Sequence, residues 1–142
     1  MSKLASATPD QKKASRPRGS AWVGANAGSG KTHVLVDRVI RIMLGGVDPA
    51  TILCITYTKA AAAEMAARVH ERLGEWVGIT DADLTLRLLN MCCEDTTSVL
   101  LAVSRRLFTA ALLTAGGCKI HTVHPFFDRL PHLFPIPAGL AS

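Results

Sequence analysis

A glycine-rich run over residues 25–32 carries the residue types that hold phosphate. Gly28 and Gly30 let the backbone curl so that successive N–H groups point at phosphate oxygens, and Lys31 supplies a cation for the terminal phosphates. The Thr32 hydroxyl is suited to bind Mg²⁺. The run predicts a site for a nucleoside triphosphate and its magnesium ion, formed by Ala25, Asn26, Ala27, Gly28, Ser29, Gly30, Lys31 and Thr32.

The residues on either side of this run predict a strand before it and a helix after it. The apolar stretch Ala21-Trp22-Val23 has the character of a strand, and the run 34–44 has helical spacing and stops at Gly45-Gly46. A helix beginning here would place a dipole equivalent to about half a positive charge beside the phosphates. We expect the helix to bury one apolar face and expose a charged one, with apolar positions Leu35, Val39, Ile42 and Met43 and charged positions Asp37, Arg38 and Arg41.

Further along, strands and helices continue to alternate. The run 51–56 predicts a parallel strand buried on both faces. Thr58 is placed to cap an alanine-rich helix that Gly74 could end, with Met65, Val69 and Leu73 on its apolar side. Later segments predict helices over 84–91 and 99–113 with caps in 81–83 and 95–97, a strand over 119–123, and a brief helix from His124 that stops before Pro131. This order predicts an α/β fold with parallel strands and flanking helices.

Composition excludes several classes of protein. The 142 residues, 49% of them hydrophobic, suffice for one domain with a core, and no run is long and apolar enough to cross a bilayer. No C-x-x-C pair is present, so we expect a reducing, cytoplasmic setting with no membrane contact. Most of the net charge of +5 lies in residues 1–20, which hold five basic residues and one acidic residue. The pattern predicts a flexible basic leader over 1–19, with a short helix near 11–15.

Four sequence blocks occur in the order in which one helicase family has them. They are Gln11-Lys-Lys-Ala14, the run 20–32, the run Thr56-Tyr-Thr-Lys-Ala-Ala-Ala-Ala-Glu-Met65, and Lys119-Ile-His-Thr-Val-His124. Over residues 8–134 the chain resembles superfamily 1 helicases of the UvrD/Rep type, and among these the AddA subunits of bacterial AddAB helicase-nucleases, which repair double-strand breaks. Ala25, in place of a glycine, is the form typical of the helicase branch.

The resemblance implies a P-loop NTPase fold of the RecA-like kind, with ATP and Mg²⁺ as cofactors and single- and double-stranded DNA as partners. Residues 20–142 would be the N-terminal portion of the helicase ATP-binding domain. Gln11 would read the adenine edge, because an amide donates and accepts together. Residues matching the DNA-contacting motifs are Thr56, Tyr57, Thr58, Thr122 and His124. Tyr57 replaces a more usual phenylalanine, and Pro125, Phe127 and Pro131 depart from the family pattern.

Plainer interpretations stay open for several of these residues. Gln11 could be an ordinary exposed side chain, and His121, Thr122 and His124 could serve only a strand and a helix cap. A metal site formed by His121, His124 and His132 is disfavoured, since no carboxylate or cysteine is spaced to complete it.

ATP hydrolysis needs acidic residues that this sequence does not supply at a strand end. The nearest candidate, Asp81 after Val77-Gly78-Ile79-Thr80, lacks a neighbouring glutamate. We therefore expect the N-terminal part of a longer ATP-dependent DNA helicase, with the second motor domain, the nuclease domain and the contacts to an AddB-like subunit elsewhere. On its own the chain is expected to bind ATP and hydrolyse it poorly. The alternatives are a nucleotide- or single-strand-binding module without hydrolysis, and a non-functional truncated product; a small-molecule kinase fits less well.

Overall fold

A computed structural model describes residues 7–24, 26, 30–91, 98–113, 119–123 and 126–127. These residues form α1 (Pro9–Ala14), α2 (Lys31–Leu44), a 3₁₀ turn (Pro49–Thr51), β1 (Leu53–Thr56), α3 (Lys59–Gly78), α4 (Asp81–Asn90), α5 (Ser98–Leu113) and β2 (Lys119–Thr122). No helix in these ranges is both long and apolar enough to cross a membrane. The predictions for Cys92, Cys93, Cys118, the 95–97 cap and the segment around Pro131 lie outside the described residues.

The two strands pair in parallel, so the predicted α/β class with parallel strands is confirmed. Leu53 lies opposite Lys119 and Thr56 opposite Thr122. Helices α3, α4 and α5 form the connection between the strands, as parallel pairing requires. The strand predicted over Ala21-Trp22-Val23 is wrong for this structure, because residues 20–24 take no regular structure and pair with neither strand. An apolar stretch becomes a strand only where a neighbour can share its hydrogen bonds.

Helix α3 supplies the central apolar surface of the described structure. Its side chains Met65, Val69, Leu73 and Trp76 are buried, and the helix packs against α2, α5 and both strands. The first three were predicted to form one face, and that prediction is confirmed. Thr58 caps the helix by accepting a hydrogen bond from Ala61 N–H at 3.1 Å.

The prediction that Gly74 ends α3 is wrong, since the helix continues to Gly78. Gly74 has a packing role instead: a Cβ at this position would lie 3.3 Å from the Phe108 ring of α5. The missing side chain lets the two helices approach closely. Where α3 does end, Arg105 of α5 donates to the Trp76, Val77 and Ile79 carbonyl oxygens at 2.9–3.0 Å. These carbonyls lack partners within the helix, so the guanidinium takes the place of a backbone C-cap.

Helix α2 is buried more widely than its sequence pattern predicts. Val39 and Met43 are buried as expected, but Leu35 is 41% exposed, while Asp37 and Arg41 on the predicted solvent face are buried. The reason is that α2 has neighbours on two sides, α1 and α3. On the α3 side, Arg72 donates to Asp37 at 3.0 Å and lies 3.1 Å from His33 Nε2. Removing one partner of such a buried ion pair typically costs about 3–5 kcal/mol.

Strand β1 is buried on one face only in this structure. Cys54 is buried, whereas Leu53 is 44% exposed and Ile55 is 46% exposed. The predicted burial on both faces is therefore wrong for the residues that the structure describes. A parallel strand reads as a continuous apolar run when both of its faces are covered, and none of the described elements covers the face of Leu53 and Ile55.

Candidate functional site

The start of α2 has the features of an anion-binding helix end. Gly30 occupies the N-cap position with a left-handed backbone, φ +83° and ψ 15°. No described side chain caps this end, and no acidic residue lies in the first turn. Lys31 projects at the same end, where its Nζ donates to the Asn26 carbonyl oxygen at 3.2 Å. Uncapped N–H groups, a positive dipole and an exposed ammonium together suit a phosphate group.

Gln11 is held by a capping box that the sequence analysis missed. Thr8 Oγ1 accepts from Gln11 N–H at 3.3 Å, and Gln11 Oε1 accepts from Thr8 N–H at 2.9 Å. The signal was available in the sequence, since Thr-x-x-Gln at a helix start is a standard capping pattern. The reciprocal bonds fix which way the amide points. Oε1 faces the Thr8 N–H and Nε2 is directed elsewhere.

The Gln11 side chain lies against the beginning of α2. A Cβ added to Gly30 would come within 3.3 Å of Gln11 Nε2. A cavity of about 290 Å³ opens at this place between α1, the segment 22–24 and α2. Its described lining is Asp10, Gln11, Ala14, Trp22, Val23, Gly24, Lys31 and Val34. The structure thus brings Gln11 and Lys31, which are twenty positions apart in sequence, to one cavity with apolar walls and few polar groups.

Two arginines of α2 hold the leader against this helix. Arg38 donates to the carbonyl oxygens of Ala14, Arg16 and Gly19, and Arg41 donates to Lys12 O and Ser15 Oγ. The leader was predicted to be flexible apart from a short helix near 11–15; the structure has that helix at 9–14 and bonds the backbone as far as Gly19 to α2.

A second group of predicted residues meets at the carboxyl edge of the sheet. Thr56 and Thr122 are opposite one another in the last register pair of β1 and β2. Tyr57, the next residue after β1, is 91% exposed. Thr56 Oγ1 donates to the Thr58 carbonyl oxygen at 3.1 Å, and Thr58 Oγ1 is occupied as the cap of α3. The two motif segments therefore share one edge, with an exposed aromatic ring between a strand and a helix.

Some predicted site residues are not placed by the structure. Ala25, Ala27, Gly28, Ser29 and His124 lie outside the described residues. Within the described ranges no three His, Cys, Asp or Glu side chains are grouped as metal ligands, and both His124 and His132 fall outside those ranges.

Comparison with known families agrees with this arrangement. A sequence model of the UvrD/REP helicase N-terminal domain matches residues 7–130. The chain belongs to the UvrD/REP helicase family. The matched range takes in Gln11, the glycine-rich run and both segments at the sheet edge, and the resemblance noted in the sequence is confirmed.

Curated relatives narrow the similarity to one kind of helicase of this family. The chain is 35% identical over 123 residues to the AddA protein of the ATP-dependent helicase/nuclease from Clostridium acetobutylicum, covering 84% of this chain and 8% of that protein. It is 45% identical over 84 residues to the protein of the same name from Levilactobacillus brevis, covering 58% of this chain and 7% of that protein. The chain thus spans less than a tenth of the length of these relatives. No solved structure matches it significantly.

Two glycines provide a test of the contact between Gln11 and α2. Both Gly30 and Gly46 have positive φ, +83° and +88°, but only at Gly30 would a Cβ meet another group within 4 Å. We expect Gly30→Ala and Gly46→Ala to lose similar stability in urea unfolding, about 1–2 kcal/mol each from the left-handed backbone. Only Gly30→Ala should shift the side-chain amide resonances of Gln11, the one glutamine of the chain. Equal resonances in both variants would show that Gln11 does not contact Gly30 in solution.

Proposed function

We propose that this chain is the ATP-binding, N-terminal part of a DNA helicase of the AddA kind, acting in double-strand-break repair. The observation that carries the proposal is the cavity shared by Gln11 and Lys31. It joins a side chain that can read a base to one that can neutralise phosphates, on opposite sides of an apolar wall. Residues 20–142 would belong to a RecA-like P-loop domain, and the leader 1–19 would bring Gln11 to it.

Each residue of the nucleotide site has a role that its chemistry supports. Gln11 Nε2 would donate to the adenine ring, while Oε1 keeps a second lone pair for the exocyclic amine beyond its bond from Thr8. The loop 25–30 would surround the phosphates with backbone N–H groups, and Lys31 would neutralise them. Thr32 would hold Mg²⁺, which when bound neutralises charge on the triphosphate. The uncapped first turn of α2 fits such a ligand.

The edge formed by Thr56 and Thr122 is proposed to contact single-stranded DNA. Tyr57 would stack on a base, since its ring is almost fully exposed. Thr56, Thr58, Thr122 and His124 would meet the backbone phosphates, contacts that position a strand without reading its sequence. The name that the relatives share, ATP-dependent helicase/nuclease, supports DNA as the substrate, and their place in a multi-subunit enzyme supports an AddB-like partner.

Hydrolysis is proposed to need acidic residues that are not among these 142. The position of Asp81 supports this view, because Val77 and Gly78 end a helix and Asp81 begins another, far from a strand end in the fold. Asp81 is instead bonded to Arg105 at 2.6 Å. The chain alone would then bind ATP with Mg²⁺ and turn it over slowly at best. A nucleotide- or DNA-binding module without hydrolysis remains the second candidate function, and a non-functional truncated product the third.

Replacing Lys31 by alanine tests nucleotide binding. We expect calorimetry to detect Mg²⁺-ATP binding to the unchanged chain and none to Lys31→Ala, because the phosphates lose their cation. Lys119→Ala, at an exposed lysine at the start of β2, is the matched control and should bind as the unchanged chain does. Equal ATP affinity in all three proteins would refute the assignment. ATPase rates of the same samples, with and without single-stranded DNA, separate a helicase motor from a module that only binds, since only the motor predicts stimulation.

Tyr57 allows a test of the proposed DNA edge. Loss of one stacked base costs about 1–3 kcal/mol, so Tyr57→Ala should weaken binding of a labelled oligothymidine by roughly 5- to 150-fold at fixed salt. Tyr57→Phe keeps the stacking face and should bind nearly as well as the unchanged chain. Fluorescence anisotropy measures both. Should Tyr57→Ala bind as tightly as Tyr57→Phe, the stacking role would be excluded.

A further inference from the structure

Helix α1 has little of its own to hold it in place. It is six residues long, none of its residues is buried, and helices this short are unstable in isolation. Its capping box closes the N-terminal end but makes no contact with another element. Its position in the fold must come from bonds made by a neighbour, and the described neighbour is α2.

Arg38 is one of the α2 side chains that make those bonds. Its Nη1 donates to Ala14 O at 3.1 Å and Arg16 O at 2.6 Å, and its Nη2 donates to Gly19 O at 2.6 Å. Three carbonyl oxygens at and beyond the end of α1 thus converge on one guanidinium. The planar fork of arginine suits this bridging, and a lysine ammonium has a different geometry.

Arg41 makes the second attachment, one helical turn further along. Its Nη1 donates to Lys12 O at 3.1 Å and to Ser15 Oγ at 2.8 Å. Ser15 is 4% exposed and Arg41 is 9% exposed, so this contact is shielded from water. Ser15 Oγ in turn donates to Lys12 O at 3.0 Å, which completes a closed set of bonds at the end of α1.

Both arginines stand on the helix that begins at Lys31, but far from its first turn. At 1.5 Å per residue, Arg38 lies about 10 Å and Arg41 about 15 Å along the axis from Lys31. Neither is therefore placed to touch the phosphates. They fix α1, and with it Gln11, on the helix that presents Lys31. The distance between the base-reading group and the phosphate-binding group is set by these bonds.

We propose that Arg38 and Arg41 are positioning residues that give the nucleotide site its preference for adenine. The inference rests on the proposed function, because it assumes that Gln11 reads the base of a nucleotide held at Lys31. Without the two arginines the phosphate site would persist and the base contact would be lost. Sequence periodicity gave no hint of this role, since both residues fell on the face predicted to be solvated.

The test compares three ligands on the full 142-residue chain. Calorimetry in constant Mg²⁺ measures affinity for ATP, GTP and inorganic tripolyphosphate. We expect Arg38→Ala and Arg41→Ala to lower ATP affinity roughly tenfold, the value of one to two lost hydrogen bonds, with the preference for ATP over GTP reduced alike. Tripolyphosphate affinity should stay within about twofold, because the phosphate site is distant. Gln11→Ala should behave the same way, and adding it to Arg38→Ala should cause no further loss.

Controls separate positioning from general damage. Arg68→Ala removes an arginine of α3 that forms an exposed ion pair with Glu64, and should leave all three affinities unchanged. Amide hydrogen exchange at Lys12 and Ser15, whose N–H groups bond to Thr8 O and Gln11 O, should quicken in Arg38→Ala and Arg41→Ala. If Arg38→Ala does not fold, Arg38→Lys serves in its place and should show the same loss of base preference.

Each contrary result has a distinct meaning. Unchanged preference for ATP over GTP in folded variants overturns the inference and leaves the proposed function standing. An equal loss of ATP and tripolyphosphate also overturns it, because the arginines would then support the whole helix end. Equal affinity of the unchanged chain for ATP and GTP overturns it as well. Failure of the unchanged chain to bind ATP or tripolyphosphate overturns the inference together with the proposed function.

Discussion

Burial of the apolar face of α3 is the constraint on which the other described elements depend. Met65, Leu73 and Trp76 are at most 2% exposed, and α2, α5 and both strands pack on this helix. Hydrophobic burial is worth about 25 cal/mol per Å² but has no preferred direction. Orientation comes from polar contacts at the margins: Arg72 with Asp37 between α3 and α2, and Arg105 with the last carbonyls of α3. Apolar packing assembles the helices and the arginines set their register.

The candidate nucleotide site depends on the same division of labour. Its walls are apolar, its phosphate end is a helix terminus, and its base end belongs to a leader that buries no residue of α1. Such a leader can be ordered only by directed bonds, which Arg38 and Arg41 supply. A site of this design links the two ends of a ligand to one rigid helix. That linkage is what an enzyme needs if binding of the base is to position the phosphates.

Sequence patterns located most elements of this structure, because periodicity and capping are local properties. The face of α3, its cap at Thr58 and the parallel strand at 119–122 all followed from residues within one or two turns of each other. The glycine-rich run identified the phosphate end of the site for the same reason. Its family could be recognised because four such local blocks occur in a fixed order. What sequence could not supply was the effect of neighbours distant along the chain. Gly74 resembles a helix stop, yet it is the place where Phe108 packs, thirty-four positions later. Arg41 resembles a solvated residue, yet the leader covers it. The apolar stretch at 21–23 resembles a strand but has no pairing partner among the described elements. In each case a tertiary contact, present or lacking, decided against the local signal.

The central claim is that one nucleotide is held at both Gln11 and Lys31. The most direct measurement is an NMR titration of the chain with Mg²⁺-ATP, following the side-chain amide of its one glutamine and the backbone amide of Lys31. Our account predicts that both signals shift along one binding curve with a common dissociation constant. A shift at Lys31 alone, or at neither residue up to millimolar ATP, would contradict it.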